Sequence, residues 1–288
     1  MRNYIRYGCF FAIVGLMACG DEELPVSALN QLTKVSCYEQ GSEGDQLIFE
    51  ATVTYNDPTG QINSIRLIGE EPEEMLFVYS DGKCVVTSLR ASSPTTEYTL
   101  SGQVIVGRKV SRENPLVNHA LYVSDDYTYH YSGSRLSYTS WVTTWPVSGG
   151  GYESRSYPEY ERYTWESNNV VLFAQSQDRR EMRYEYGTQL RPQNFPLRVI
   201  GSYEPIGFGA VSPLNLLYGE AGRYLPVKAY TYAIPNPSQK LEEFTYSYVT
   251  MGDYVTQMTV DRKSMGESDE ANEVRRYVYT FEYNYAKP

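Results

Sequence analysis

The sequence predicts an all-β chain: a long, twisted, curled antiparallel meander, open or barrel-like, with an irregular Pro/Gly-rich covering segment. Three observations carry this reading. First, Phe244 to Val260 alternates, with Phe244, Tyr246 and Tyr248 set against Thr245 and Ser247. Met251-Gly252-Asp253 breaks that run, and Tyr254, Thr256, Met258 and Val260 then alternate again. A period of two places each set on one face of a strand, and a central Gly-Asp marks a β-hairpin. Second, the 288 residues contain 29 Tyr and only 2 His. Tyrosine suits pleated, half-buried surfaces with a wet tip. Third, no segment of ten or more residues shows a helical period. Roughly a dozen or more strands are expected, and a sheet that long must curl, split or close to manage its edges.

The chain opens with Arg2 and Arg6 and an apolar stretch from Phe10 to Met17. That is the length of a signal-peptide core and too short to span a bilayer. Leu16-Met17-Ala18-Cys19 resembles the bacterial lipobox. The resemblance implies that residues 1–18 are a lipoprotein signal peptide and that Cys19 is the acylated N-terminus. Its lipid would then be the chain's partner in the outer membrane. Gly20-Asp21-Glu22-Glu23 resembles the acidic tag that sends lipoproteins of Bacteroidetes-type bacteria to the cell exterior. Residues 19–32 read as a lipidated tether and residues 33–288 as a single β-repeat domain. Residues 1–18 hold two basic side chains and no acid, so the formal charge of −10 becomes −12 in the mature chain. Such a balance disfavours nucleic acid and anionic lipid. No other run of 18 apolar residues follows.

Along the domain, Leu47 to Tyr55 alternates, with Phe49, Val53 and Tyr55 on one face. Asn56-Asp57-Pro58-Thr59-Gly60 is turn chemistry, and Ile62 and Ile65 belong to the returning strand. Met75 to Tyr79, Ser80-Asp81-Gly82-Lys83 and Cys84 to Leu89 form a tight hairpin with Asp-Gly at its tip. Tyr98 to Val110 is strand-rich. Tyr127, Tyr129 and Tyr131 precede a turn at Ser132-Gly133-Ser134 and a second aromatic strand to Trp145. Asn168-Asn169 is placed as a type I′ turn. Met182 to Tyr186 and Val227 to Ile234 are strands on either side of an irregular segment. Tyr277, Tyr279, Phe281, Tyr283 and Tyr285 line one face of the last strand.

The recurring unit is an aromatic-x-aromatic pair, a polar turn, then apolar residues. It is seen in Tyr55-Asn56-Asp57 with Gly60, Ile62 and Ile65, and in Tyr246, Tyr248, Gly252, Asp253 and Val255. Tyr277 to Tyr285 carries its aromatic half. Over most of residues 45–288 it resembles the tyrosine-rich surface lipoproteins of gut Bacteroidetes filed as domains of unknown function. It is distantly similar to the YD repeats of Rhs-type shells, from which it departs in spacing and turn length. The resemblance carries no known activity and so implies no catalytic residue.

Constellations for chemistry are sparse. His119 and His130 show no metal spacing, and neither a nucleophile elbow nor a P-loop occurs. Neighbouring acids such as Asp125-Asp126, Glu70-Glu71, Glu73-Glu74 and Glu242-Glu243 point to opposite strand faces, which suits a solvated surface better than glycoside chemistry. No metal or cofactor is expected. Cys37 and Cys84 remain in the mature chain beside Cys19 and read as a disulfide or as two buried thiols. Trp141 and Trp145 share a strand face about 13 Å apart at roughly 3.3 Å per residue, with Tyr138 opposite. They are either core or a stacking platform for sugar rings. Residues 187–226, with five prolines and six glycines, are either a plug over the sheet's concave face or the wall of a ligand site. The functional expectation is a cell-surface lipoprotein with a non-catalytic binding or scaffold role, its ligand a glycan or peptide. The alternatives are a hydrolase acting on a surface polymer and a purely structural envelope protein. Oligomeric state is left open.

Overall fold

The computed structural model describes residues 31–284 except 57–58, 70–71, 91–92, 114–121, 148–149, 177–179, 199–205, 235–238 and 266–272. Cys19, His119, the Glu70-Glu71 pair and Tyr285 lie outside the described residues. The first strands are β1 (Gln31–Gly41), β2 (Gly44–Asn56), β3 (Gln61–Gly69), β4 (Glu73–Ser80), β5 (Lys83–Ser88) and β6 (Thr95–Ser101). The wall continues with β7 (Val104–Glu113), β8 (Tyr122–Ser132), β9 (Arg135–Pro146), β10 (Tyr152–Glu166), β11 (Asn169–Gln175) and β12 (Arg180–Leu190). It ends with β13 (Tyr224–Ala233), β14 (Lys240–Met251), β15 (Tyr254–Ser264) and β16 (Val274–Asn284). Each strand pairs antiparallel with its sequence neighbours, and β16 pairs with β1, so the meander closes into a 16-stranded barrel. Of the two forms left open by the sequence, the closed one is adopted. Closure removes the edges that a long sheet would otherwise expose.

The near rim of the barrel carries the start of β1 and the β2–β3, β4–β5, β6–β7, β8–β9, β10–β11 and β14–β15 turns. Asp81 and Gly82 both have positive φ, as a type I′ turn requires, and so do Ser167 and Asn168. The second of these turns sits one residue earlier than the sequence suggested. In five of these hairpins, all but β4–β5, the returning strand carries an extra residue just after the turn. The residue before each bulge is a buried aliphatic: Ile62, Ile105, Leu136, Val170 and Val255. This extra residue turns a peptide group out of the ladder and shifts the alternation by one. Ile62 and Ile65 therefore both face inward. On β15 the core residues are Val255, Met258 and Val260, which corrects the grouping of Tyr254 and Thr256 with Met258 and Val260.

Aromatic side chains satisfy the peptide groups so released. Tyr131 Oη donates to the Ile105 carbonyl at 2.7 Å, Trp165 Nε1 to Leu136 at 2.7 Å, and Tyr186 Oη to Val170 at 2.6 Å. Tyr283 Oη donates to the Val255 carbonyl at 3.0 Å. Tyr55 and Tyr248 do the same to Leu32 and Pro226, each at 2.8 Å. In every case an even-numbered strand donates to the odd-numbered strand before it. The β4–β5 hairpin has no bulge, and β6 carries Leu100 at the position facing Ile105, where Tyr55, Tyr131 and Trp165 face their own aliphatics. Tyrosine thus recurs because its ring fills the core while its hydroxyl pairs an orphaned carbonyl.

The core is the inside of the barrel. Val35, Ile65, Phe173, Met182, Phe244, Tyr279 and many like them are fully or nearly fully buried there. The near half of the lumen is filled by the described residues between β12 and β13, 191–198 and 206–223, which include the 3₁₀ turns Phe208–Val211 and Pro213–Leu217. Phe195 meets Tyr248 and Phe281 at 6.1 and 5.2 Å, Phe208 meets Phe49 at 5.9 Å, and Tyr218 meets Tyr129 at 5.2 Å. The segment therefore touches opposite walls and acts as the plug that the sequence offered as one of two readings. Arg191 ties it together, donating to the carbonyls of Ala221 at 2.8 Å, Phe195 at 2.9 Å and Leu197. Burial pushes that guanidinium down to about 10, so it keeps its charge at neutral pH. Gly219, at φ +76°, is required where it is, because a Cβ there would lie 2.5 Å from the Ser134 carbonyl oxygen.

The outer strand faces carry charge. Lys34 pairs with Glu50 at 2.9 Å, Lys83 with Glu97 at 2.9 Å, Lys109 with Asp126 at 3.7 Å, Lys228 with Glu243 at 3.4 Å and Arg276 with Asp261 at 2.7 Å. Arg183 adds a pair with Glu181. These pairs occur on β1–β2, β5–β8 and β12–β16.

Candidate binding face inside the barrel

Cross-strand register on β7 to β10 sets Arg108, Tyr127, Trp141 and Tyr157 in one inward-facing row. Trp141 stacks on Tyr127 at 5.9 Å and on Tyr157 at 4.6 Å, with interplanar angles of 7° and 11°. Tyr160 leans against Trp141 at 4.8 Å. The Arg108 guanidinium sits 4.1 Å from the Tyr127 ring centre and the Arg155 guanidinium 5.0 Å from that of Tyr157. One row nearer the far rim, Asp125 is 7% exposed and accepts from Trp141 Nε1 at 3.2 Å and from Arg112 at 2.8 Å. Trp145 lies further along the same inner face, beside Glu153 in register.

The sequence parity of the tryptophans therefore holds, but the shared face is the inside of the barrel. Trp141 has both ring faces covered by tyrosines, so it is a fixed part of the wall. Trp145 stays half-buried towards the rim. Tyr138 is on the outer face, as expected, stacked on His130 at 4.1 Å. His130 also shares a hydrogen bond with Ser140 at 3.1 Å.

Beneath this row lies a buried polar layer. Tyr163 donates to Glu161 at 2.7 Å, and Glu161 is 8% exposed. Arg198 reaches the same layer from the plug, over the Tyr218 ring at 5.3 Å. Burial raises the Tyr129 and Tyr163 phenols well above their ordinary value. It also works against the charge on Arg108, but the surrounding tyrosines, Tyr129 first, outweigh it and hold that guanidinium above its usual value. Arg108 Nε is buried with no hydrogen-bond partner among the described residues. At the far rim a cleft of about 230 Å³ is lined by Arg262, Ser264, Glu273 and Arg275. Arg262 is held there by Glu242 at 2.9 Å.

Asp125 and Asp126 do face opposite ways, as do Glu242 and Glu243, which disperses the acidic pairs. Among the described residues no three His, Cys, Asp or Glu side chains converge as a metal site requires. Cys37 and Cys84 are free, buried thiols. They stand four strands apart on β1 and β5, about 19 Å round the sheet at ~4.8 Å per strand, far beyond disulfide reach. The bridge is therefore corrected to two buried thiols. Burial pushes the Cys37 thiol up to about 12 and raises that of Cys84. Sequence reasoning missed Arg108, Asp125, Tyr157 and Tyr160 as neighbours of Trp141, because register between strands joins them and spacing along the chain does not.

No curated protein matches the sequence. Solved structures that share the fold include two porin-like proteins. A porin-like protein from Bacteroides uniformis ATCC 8492 has a TM-score of 0.56 at 16% identity, over 87% of this chain and 98% of that one. A porin-like protein from Bacteroides vulgatus ATCC 8482 has a TM-score of 0.51 at 12% identity, over 88% of this chain and 99% of that one. At such identities the likeness concerns architecture alone. Residues 20–287 match the family described as Domain of unknown function (DUF5032), and the chain belongs to that family.

Proposed function

We propose that this chain is a non-catalytic binding or scaffold lipoprotein of the outer membrane surface, held by acylated Cys19. Its ligand is a glycan or peptide that enters at the far rim and meets the face bearing Trp141 and Trp145. The observation that carries the reading is the aromatic row Tyr127–Trp141–Tyr157, locked by Asp125 and flanked by Arg108 and Arg155. Such a row offers apolar ring surface with charged hydrogen-bonding groups at its edge, the combination that sugar and peptide recognition uses. Trp145 and Arg155, nearer the mouth, are the contact residues; Trp141 is the support behind them. The plug in the near half of the lumen favours binding or scaffolding over conduction. Intrinsic fluorescence of the mature chain against glycan and peptide libraries tests this. A saturable change that Trp145→Ala and Arg155→Ala weaken at least tenfold is expected. Binding indifferent to both substitutions removes the site, and release of a shortened product replaces binding by hydrolysis.

A further inference from the structure

We infer that the barrel stands in water beside the bilayer rather than across it, with its near rim against the lipid surface and the far-rim face directed away. The inference rests on the Cys19 tether for its geometry.

A barrel that spans a membrane presents an apolar outer band about 25 Å tall and a polar lumen. Here the arrangement is reversed. The lumen holds the aromatic and aliphatic core. The outer faces hold ion pairs at mid-strand, such as Lys109–Asp126 and Lys228–Glu243. Charged side chains on lipid-facing strand positions are disfavoured, most strongly at the midplane. The porin-like architecture therefore comes with a surface suited to water.

The choice of rim follows from where the chain enters. β1 begins at Gln31, beside Asn284, on the near rim. Residues 19–30 span at most roughly 40 Å when fully extended, so the lipid on Cys19 holds that rim close to the bilayer. On the same rim, the ends of β12 and β14 expose Leu190 at 60%, Val249 at 55% and Met251 at 56%. These side chains can enter the headgroup boundary; the far rim exposes Leu89 at 60%, Tyr152 at 53% and Val274 at 52%, so the attachment point of the tether, not apolarity, selects the near rim. The occupant is the bilayer surface itself, because the acylated terminus brings it within reach.

The test uses the full lipoprotein in phosphatidylcholine–phosphatidylethanolamine vesicles containing spin-labelled lipid. An environment-sensitive probe is attached in turn to Met251→Cys, Thr280→Cys and Glu153→Cys. The native thiols Cys37 and Cys84 are buried and leave the label to the introduced site. Thr280 reports the outer wall at mid-height and Glu153 the far rim. Quenching severalfold stronger at position 251 than at 280 or 153 is the expected result. Equal quenching at 251 and 280 places the wall in the bilayer and overturns the inference. Stronger quenching at 153 inverts the orientation. Vesicle flotation without quenching at any position overturns rim contact while leaving the tether intact. Flotation of Cys19→Ala to the wild-type extent overturns the tether and with it the choice of rim, while quenching at position 280 still decides whether the wall stands in water.

Discussion

Truncation of Phe281 tests the inside-out assignment of the wall at its seam. Phe281 is 4% exposed and lies on β16 opposite Val35 of β1, where the barrel closes. Its ring meets Phe195 of the plug edge-on at 5.2 Å and stacks on Tyr279 at 6.5 Å. Phe281→Ala thus opens a void between the wall and the plug that neither can easily collapse into, since the strand is held by ladders on both sides. A loss of about 3–5 kcal/mol is expected, the range for aromatic truncation in a core. For a chain of this size that corresponds to a drop in Tm on the order of 10 °C. The adjacent Glu282 has a side chain 67% exposed and lies 3.9 Å from Lys34, which pairs more closely with Glu50. Glu282→Ala should change stability by no more than about 0.5 kcal/mol. Urea unfolding followed by tryptophan fluorescence, fitted with a common slope, gives both values. The contrast is the decisive quantity, because errors in the unfolded reference cancel. Equal losses, or a larger loss at Glu282, would refute the parity of β16 and with it the inward placement of the aromatic sets on the other strands.

Tyr283→Phe and Tyr131→Phe keep the ring but leave the bulge carbonyls of Val255 and Ile105 unpaired. Each should cost about 1–3 kcal/mol by the same assay, whereas Tyr230→Phe on the outer face should be nearly silent. Gly219→Ala combines a positive φ with a 2.5 Å clash against the Ser134 carbonyl. It should cost more than about 1 kcal/mol and speed proteolytic cleavage between residues 191 and 223. The buried phenols of Tyr246, Tyr248 and Tyr279 are raised by burial. Above about pH 10 the unfolded chain loses these protons and the folded chain keeps them. Stability should therefore fall as pH rises past that point, and ultraviolet titration should show phenolates forming together with unfolding; early, independent ionisation would contradict their burial. Cys37 and Cys84 should resist alkylation in the native chain at pH 8 and react as two thiols in denaturant, without prior reduction.

Period-two alternation was legible throughout the sequence, because the side-chain period of a strand is a local property of the backbone. It placed Phe244, Tyr246 and Tyr248 on one face, set His130 against the three tyrosines, and separated Asp125 from Asp126. The turn residues of Asp81-Gly82 and Gly252 were equally local. The excess of tyrosine was visible too, but its reason was not. Only the register between strands shows that Tyr131, Tyr186 and Tyr283 each reach a carbonyl that a bulge has turned out of the ladder. Bulges also defeated simple parity at Val255, since an inserted residue exchanges the faces beyond it without any marker in composition. Closure of the barrel, the seating of residues 191–198 and 206–223 inside it, and the row from Arg108 to Tyr157 all depend on residues far apart in the chain. So does the separation of Cys37 from Cys84, whose sequence spacing is compatible with a bridge. Local stereochemistry chose strands, whereas hydrogen-bond register and the burial of an apolar inner face chose which side chains meet.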